Sequence, residues 1–342
     1  MNSKTKTLTL NLALLILMLS IISCNNDEDP IPCDEESFVS LEYDPLKHIY
    51  GTSVAIGGEQ WEIIIDPILG QFDTIPGTKR LTGGLSYPIG TTRLFSFENN
   101  QRIFIGDQNN ELIIQDLTTS DYTTIDLKDA TTSQSIIFPQ FIIFGNTENQ
   151  LFILDTDKSL WEVDIQNNLV EKIIEKMVAA NNVYISDILY VKGSDDFILT
   201  TTMSAINDPI SRELMLYDND IDSIINVKPI EGSFGFTQFP NEDTFYFLQT
   251  PTTQEGFRLM ELKIVGEQFQ ITPKSTSDLA IDNLSGYLQT IHSATNSYIC
   301  RGGSNSLETP TNFLYNIDLT TGELVNESTL TDANILLNLS SE

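Results

Sequence analysis

The sequence predicts an all-β protein, a six-bladed β-propeller of four-stranded antiparallel blades occupying residues 38–342. Three observations predict it. A strand-turn-strand segment recurs six times at intervals of 45 to 55 residues, the length of one blade with its connection. Two further short apolar runs stand upstream of each recurrence. With 40% hydrophobic and 19% charged residues, the chain has the composition of a folding domain and not of a disordered acidic tail.

In chain order, the first element lies outside the ring. Residues 1–23 carry Lys4 and Lys6, then an apolar run from Leu8 to Ile22 broken only by Thr9, Asn11 and Ser20. That run is short for a membrane span, and its order of basic head, apolar run and small residue is that of an export signal. Its end, Ile21-Ile22-Ser23-Cys24, resembles the lipobox of bacterial lipoproteins. The resemblance implies that Cys24 becomes the lipidated first residue of the mature chain, with the covalent lipid as its one cofactor and the bilayer as a partner. Residues 24–37 form a tether that opens Asn25-Asn26-Asp27-Glu28-Asp29 and continues through Pro30 and Pro32. This acidic start is similar to the signal that Bacteroidota lipoproteins use to reach the outer face of the outer membrane. It implies a lipid-anchored protein on the extracellular face.

The blades follow. Their outer hairpins are EIIIDPILGQF (62–72), LIIQDLTTSDY (112–122), LWEVDIQNNLV (160–170), LMLYDNDIDSI (214–224), LMELKIVGEQF (259–269) and FLYNIDLTTGEL (313–324). Each runs an apolar strand into a marker, Asp66, Asp116, Asp164, Asp218, Lys263 or Asp318. An apolar or aromatic residue follows six places later: Phe72, Tyr122, Val170, Ile224, Phe269 and Leu324. An aspartate at a strand end bonds its own backbone two residues on, and Gly70, Gly322, Asn167 or Asn168 supply backbone that tolerates a turn.

The inner runs are apolar at consecutive positions, as strands covered on both faces must be. They are Phe38–Glu42 and Ile49–Ile56 in the first blade, then Leu94–Phe97 with Arg102–Ile105, and Phe141–Phe144 with Leu151–Leu154. The later blades carry Ile188–Val191 with Phe197–Thr200, Phe236–Phe239 with Phe245–Leu248, and Leu288–Ile291 with Tyr298–Cys300. Over residues 38–330 the pattern resembles the quinoprotein-like and YVTN propellers, whose blades end in a similar strand-Asp-turn-strand; the likeness implies architecture and not activity. Two local points stay open. Ile173, Ile174, Met177 and Val178 fall at helical spacing, which reads Val170–Ala180 as an inter-blade helix, and Ile335–Leu339 offers an extra strand beside Phe38–Glu42, so that either terminus closes the ring.

Removal of residues 1–23 leaves 16 basic against 48 acidic residues, a formal charge of −32. Such a field repels polyanions, and nucleic acid is excluded as a partner. Once Cys24 carries lipid, Cys33 and Cys300 remain, either as a disulfide across the ring closure or as a tether thiol and a buried one.

Candidate chemistry is thin. His48 and His292 fall in the first and last blades without metal-ligand spacing, so no metal site is assigned. Asp218-Asn219-Asp220-Ile221-Asp222 resembles the opening of a calcium loop, but Ser223 and Pro229 stand where such a loop needs Gly and Glu; a polar hairpin turn explains it, as it does Asp155 and Asp157. Asp73-Thr74-Ile75 and Asp222-Ser223-Ile224 resemble the short acceptor motif of Bacteroidota O-glycosylation. Trp61, Tyr87, Trp161, Tyr217 and Tyr287 are candidates for a glycan platform, but Trp61 and Trp161 occupy equivalent hairpin strands, which favours inter-blade packing. No nucleophile elbow, phosphate loop or zinc spacing is present, and no catalytic residue is assigned. The expectation is a non-catalytic binding or scaffold subunit of an outer-membrane complex, such as a transporter, protein-assembly or secretion machine. The alternatives are capture of a glycan or iron carrier at the mouth of the channel, and a propeller hydrolase or lyase acting on polysaccharide.

Overall fold

The computed structural model describes residues 44–340 apart from 45, 55–58, 76–79, 82–92, 97–99, 106–110, 120, 137, 180–182, 204–210, 231, 240–241, 251–255, 282–283, 285–287, 304–311 and 331–334. The signal segment, Cys24, Cys33, the tether, Phe38–Glu42, Tyr87 and Tyr287 lie outside these residues.

The chain enters through β1 (Ile49–Val54), β2 (Glu59–Asp66) and β3 (Gln71–Thr74), with the two-residue β4 (Arg80–Leu81) pairing the start of β2. Blade two is β5 (Arg93–Ser96), β6 (Gln101–Ile105), β7 (Glu111–Asp116) and β8 (Tyr122–Asp126). Blade three is β9 (Pro139–Phe144), β10 (Gln150–Asp155), β11 (Leu160–Asp164) and β12 (Leu169–Ile174). Blade four is β13 (Val183–Val191), β14 (Asp196–Met203), β15 (Ser211–Asp218) and β16 (Ser223–Pro229). Blade five is β17 (Ser233–Gln238), β18 (Thr244–Gln249), β19 (Arg258–Val265) and β20 (Gln268–Pro273). Blade six is β21 (Gln289–His292), β22 (Ser297–Gly302), β23 (Phe313–Asp318) and β24 (Leu324–Thr329). The last strand, β25 (Ile335–Ser340), returns to pair with β1 and becomes the innermost strand of blade one, with Tyr50 opposite Ser340. The inner strands meet in the cyclic order β25, β5, β9, β13, β17, β21 and back to β25, which closes a ring of six blades.

Burial follows position in the blade. The second strands are covered on both faces: β18 is buried at Thr244 through Leu248, and β22 is buried throughout. The outermost strands alternate, β20 burying Phe269 between exposed Gln268 and Gln270. A strand between two neighbouring blades must be apolar at every position, whereas one at the rim needs one apolar face.

The five hairpins marked by aspartate share one turn. The Asp66 carboxylate accepts from the Ile68 and Leu69 amides, Asp116 from Thr118 and Thr119, Asp218 from Asp220 and Ile221, and Asp318 from Thr320 and Thr321, all at 2.7–3.1 Å. Asp164 accepts from the Asn167 amide and side chain. The fourth residue after the marker is left-handed in blades one, three, four and six: Gly70 at φ 69, Asn168 at φ 53, Asp222 at φ 52 and Gly322 at φ 71. Blade five departs from this. Lys263 sits inside its ladder opposite Gln270, and the turn is the two-residue Gly266-Glu267 beyond Val265.

Apolar clusters fill the spaces between blades. Phe141, Phe152 and Leu154 of blade three meet Ile188, Tyr190 and Phe197 of blade four, with Phe152 edge-on to Phe197 at 5.0 Å. Met177 and Val178 are buried in the same cluster, and Leu169–Ile174 is strand. The helix read over Val170–Ala180 is therefore corrected: the helical spacing arose because strand residues Ile173 and Ile174 and the non-helical Met177 and Val178 all pack into one crowded gap. The gap between blades one and two differs. Among the described residues its apolar cluster is small, built on Tyr50 and Ile75, and beside it lies a buried polar group of Thr52, Glu62, Arg102 and Gln115. The Arg102 guanidinium donates to Glu62 at 2.5 Å and to Gln115 at 2.7 Å, and Thr52 donates to the other oxygen of Glu62.

Candidate functional site at the ring axis

Among the described residues the innermost strands pair on their outer side only, so backbone irregularities there re-aim the side chains of the inner sheet edge. β13 and β17 both carry one. In β13 the register with β14 shifts between Ile185 and Asp187, leaving Ser186 as an extra residue whose hydroxyl turns to the Thr200 carbonyl at 3.1 Å. In β17 the register with β18 shifts between Phe234 and Thr237, and Gly235 there adopts φ 65. Bulges of this kind re-aim side chains at the edge of a sheet.

Asp187 follows the first bulge. Its carboxylate accepts from the Ile188 amide at 2.9 Å, and no basic side chain pairs with it among the described residues. Removal from water pushes its pKa up from 3.8 to about 7, because desolvation penalises the charged form and only that one amide opposes it.

Across the fifth and sixth blades the wall is built on Gly235. Tyr298 donates its hydroxyl to the Gly235 carbonyl at 2.5 Å, and Gln289 donates its amide to the Phe236 carbonyl at 3.0 Å. A Cβ at residue 235 would stand 2.5 Å from the Tyr298 hydroxyl and 3.3 Å from Gln289 Oε1, so this close approach requires glycine. Gln289 Oε1 is buried with no donor among the described residues. The Tyr298 hydroxyl is held far above its ordinary pKa by burial, and the Asp187 carboxylate acts in the same direction. The chemistry on offer is a carboxyl that changes charge near neutrality and an amide oxygen with spare acceptor capacity. A cation or an amine donor complements both.

The residues singled out by sequence lie elsewhere. His48 and His292 are buried and engaged locally, His48 Nδ1 with the Asp44 amide at 3.0 Å and His292 Nδ1 with the Thr295 hydroxyl at 2.8 Å. No group of three or more metal-ligating side chains converges among the described residues. Asp218 is spent on its turn, and Asp222 accepts from the buried Tyr217 hydroxyl. Asp155 accepts from Trp161 Nε1 at 2.9 Å and from the Ser159 amide, and burial raises its pKa. Trp161 is buried between blades two and three, and Trp61 packs at the junction of blades six and one. Thr74 is exposed at the end of β3, whereas Ser223 is half-buried opposite Asp218. Cys300 is a buried free thiol, and its candidate partner Cys33 is outside the described residues.

Comparison with known proteins gives propellers at low identity. The chain is similar to the β-propeller domain of Cps50 (Swd1) from Myceliophteria thermophila, with 13% identity over 84% of this chain and 85% of that one, at a TM-score of 0.49. A chain of a nidogen/laminin complex matches at 9% identity over 86% and 97% with a TM-score of 0.48. A regucalcin, a calcium-binding protein of Agrobacterium tumefaciens, matches at 11% identity over 70% and 74% with a TM-score of 0.44. No family model and no curated protein matches the sequence.

Sequence reasoning missed Asp187, Gly235 and Gln289. The one signal was an acid inside the apolar run Ile185-Ser186-Asp187-Ile188-Leu189, a position where burial has to be explained.

Proposed function

We propose that this chain is a lipid-anchored outer-membrane propeller that holds a membrane-protein partner as a non-catalytic binding and scaffold subunit. The observation that carries the reading is the way the ring closes. β1 is hydrogen-bonded on one side to β2 and on the other to β25, so closure uses both edges of the entering strand and needs nothing before Asp44. In this reading the tether of residues 24–37 is the leash. Fully extended, a leash of that length reaches about 50 Å. Lipid at its end confines the ring to the membrane surface at high effective concentration, so that a partner is held with little intrinsic affinity. The mature charge of −32 favours solubility and a partner with basic loops.

The test is isolation of the protein from its own outer membrane in mild detergent. A stoichiometric integral-membrane partner is expected. Recovery of the protein alone, or glycan turnover abolished by one Asp or Glu substitution, overturns the reading.

A second reading, capture of a small ligand at the ring axis, is favoured by Asp187 and by the spare acceptor of Gln289. It expects calorimetric binding of an amine-bearing or cationic ligand that Asp187→Asn abolishes. Equal binding by both proteins removes it.

A further inference from the structure

The turns of the outer hairpins occupy equivalent positions in the ring, so each is a control for the others. Their second and third residues form the crown. Blade two has Thr118-Thr119 there, blade three Gln166-Asn167, blade four Asp220-Ile221 and blade six Thr320-Thr321. Blade one has Ile68-Leu69, 44% and 65% exposed. Turn crowns are ordinarily polar because small polar residues satisfy the turn backbone, so two aliphatic residues at one crown call for a reason.

The crown is also held harder than turn formation requires. Asp66 caps the Ile68 and Leu69 amides from within, and blade six grips the crown from outside. Asn316 and Ser328 both donate to the Pro67 carbonyl, at 2.9 and 2.7 Å, and Asn326 donates to the Ile68 carbonyl at 3.0 Å. A Cβ on Gly70 would stand 2.6 Å from the Thr329 carbonyl oxygen, so the turn lies directly against β24. Beside Asn326 on that strand, Val325 is 64% exposed. Ile49 pairs with Ile65, so Leu46 and Ile68 leave the same end of neighbouring strands, and Leu46 is 69% exposed. Four exposed aliphatic side chains thus gather at the corner where the chain enters the ring.

We infer that this corner is a membrane-contact surface, with Ile68 and Leu69 seated at the boundary between lipid headgroups and acyl chains. The inference rests on the lipid anchor proposed above. Leu46 follows the tether closely in sequence, so along the chain from an anchor at Cys24 this corner is the first described part of the ring to be reached. Four side chains fall far short of the roughly 800 Å² per partner of a stable protein interface. A shallow foothold beside a lipid anchor needs no more than that. Contact with an anionic membrane is otherwise opposed by the acidic surface, and uncharged aliphatic groups are the footing that such a surface tolerates. Lys47 lies there too on a long stem, its ammonium 3.4 Å from the Asp44 carboxylate. Seating this corner turns the opposite face of the ring, with its connections between blades, away from the bilayer.

The test uses the full lipidated protein in phosphatidylethanolamine and phosphatidylcholine vesicles, with Cys33→Ser to remove the competing thiol. An environment-sensitive fluorophore is attached at Leu69→Cys in one sample and at the equivalent Thr321→Cys in another. Spin-labelled lipids are expected to quench the probe at 69 at least twofold more than the probe at 321. Equal quenching with Cys24 lipidated by intact mass overturns the contact surface and leaves the anchor standing. An unmodified Cys24 and loss of the protein from vesicles overturn the anchor, and the inference with it. Protection of the probe at 69 without lipid quenching, dependent on a co-purifying protein, overturns the inference in favour of a protein partner.

Discussion

Arg102 of blade two and Glu62 of blade one form an ion pair with both side chains almost wholly buried, 2% and 3% exposed, and a donor-acceptor distance of 2.5 Å. The pair spans the one gap between blades whose apolar cluster, among the described residues, is small. Gln115 and Thr52 supply further hydrogen bonds, and the Phe104 ring lies 4.6 Å from the guanidinium carbon. Burying two charges costs several kcal/mol, which the pair recovers only while both members and their hydrogen bonds are present.

Glu62→Ala is therefore expected to destabilise the protein by about 3–5 kcal/mol, the cost of leaving a buried guanidinium without its carboxylate. The joint replacement Glu62→Leu with Arg102→Met is expected to cost less than the single change. Urea unfolding of the two variants checks this, and a loss under about 1 kcal/mol for Glu62→Ala assigns the pair no structural weight.

Gly322 is both left-handed and crowded: φ is 71, and a Cβ there would come within 2.2 Å of the Ser275 amide nitrogen in blade five. Gly322→Ala is expected to cost about 2–4 kcal/mol, since backbone strain and a backbone clash add. Asn168→Gly, at the equivalent turn position with φ 53, is expected to stay within about 0.5 kcal/mol. Thermal melts that rank the two the other way refute the account of this turn.

The pH dependence of stability carries opposite contributions. For Asp187 the folded pKa of about 7 exceeds the ordinary 3.8, so between those values the folded state keeps a proton that the unfolded chain gives up. Its contribution is full below about pH 4 and is lost as pH rises through 7. The turn carboxylates act with the other sign. Thr119, Asn167 and Thr321 donate to Asp116, Asp164 and Asp318, and the Lys172 and Thr132 amides hold Asp129 at about 2. Their contribution is present above the ordinary carboxylate range and is lost as pH falls. Asp187→Asn removes only the first effect. It is expected to gain on the wild type by about 1–3 kcal/mol between pH 5 and pH 8, allowing for the partial exposure of the group. A pH-independent difference in denaturation midpoints contradicts the assignment.

Cys300 is 1% exposed, and burial pushes its thiol far above the ordinary range. Iodoacetamide is expected to leave it unmodified in the native protein and to alkylate it on denaturation without reductant. A requirement for reductant shows instead that Cys300 is paired with Cys33.

Much of the ring was legible because its signals are local. An aspartate that caps its own turn and a left-handed residue four places on lie within five residues, and the register follows from them: Ile65 meets Phe72, Val163 meets Val170, and Ile317 meets Leu324. Lys263 misled because β19 runs on to Val265, so the spacing of six was kept while the turn moved. What was not legible is non-local. Nothing in Ile335–Ser340 names Ile49–Val54 as its partner, and nothing local links Glu62 to Arg102 until the ladder brings them together across 40 residues. Asp187 and Gly235 were hidden for a related reason. A bulge inverts the inside-outside alternation that sequence reading relies on, and only the pairing with the next strand reveals it.

The closing strand also sets an order of events in time. Blades two to six are each continuous in sequence, so each is able to form as soon as its own residues exist. Blade one is not. Its innermost strand is the last to be made, and Tyr50 waits for Ser340 before the ladder of β1 is complete. Bringing such distant segments together pays its entropy late, which makes closure a slow, all-or-none final step in folding. Until then β1 presents a bare edge on which a foreign strand can pair, so the interval between synthesis and closure is when the protein is most exposed to aggregation.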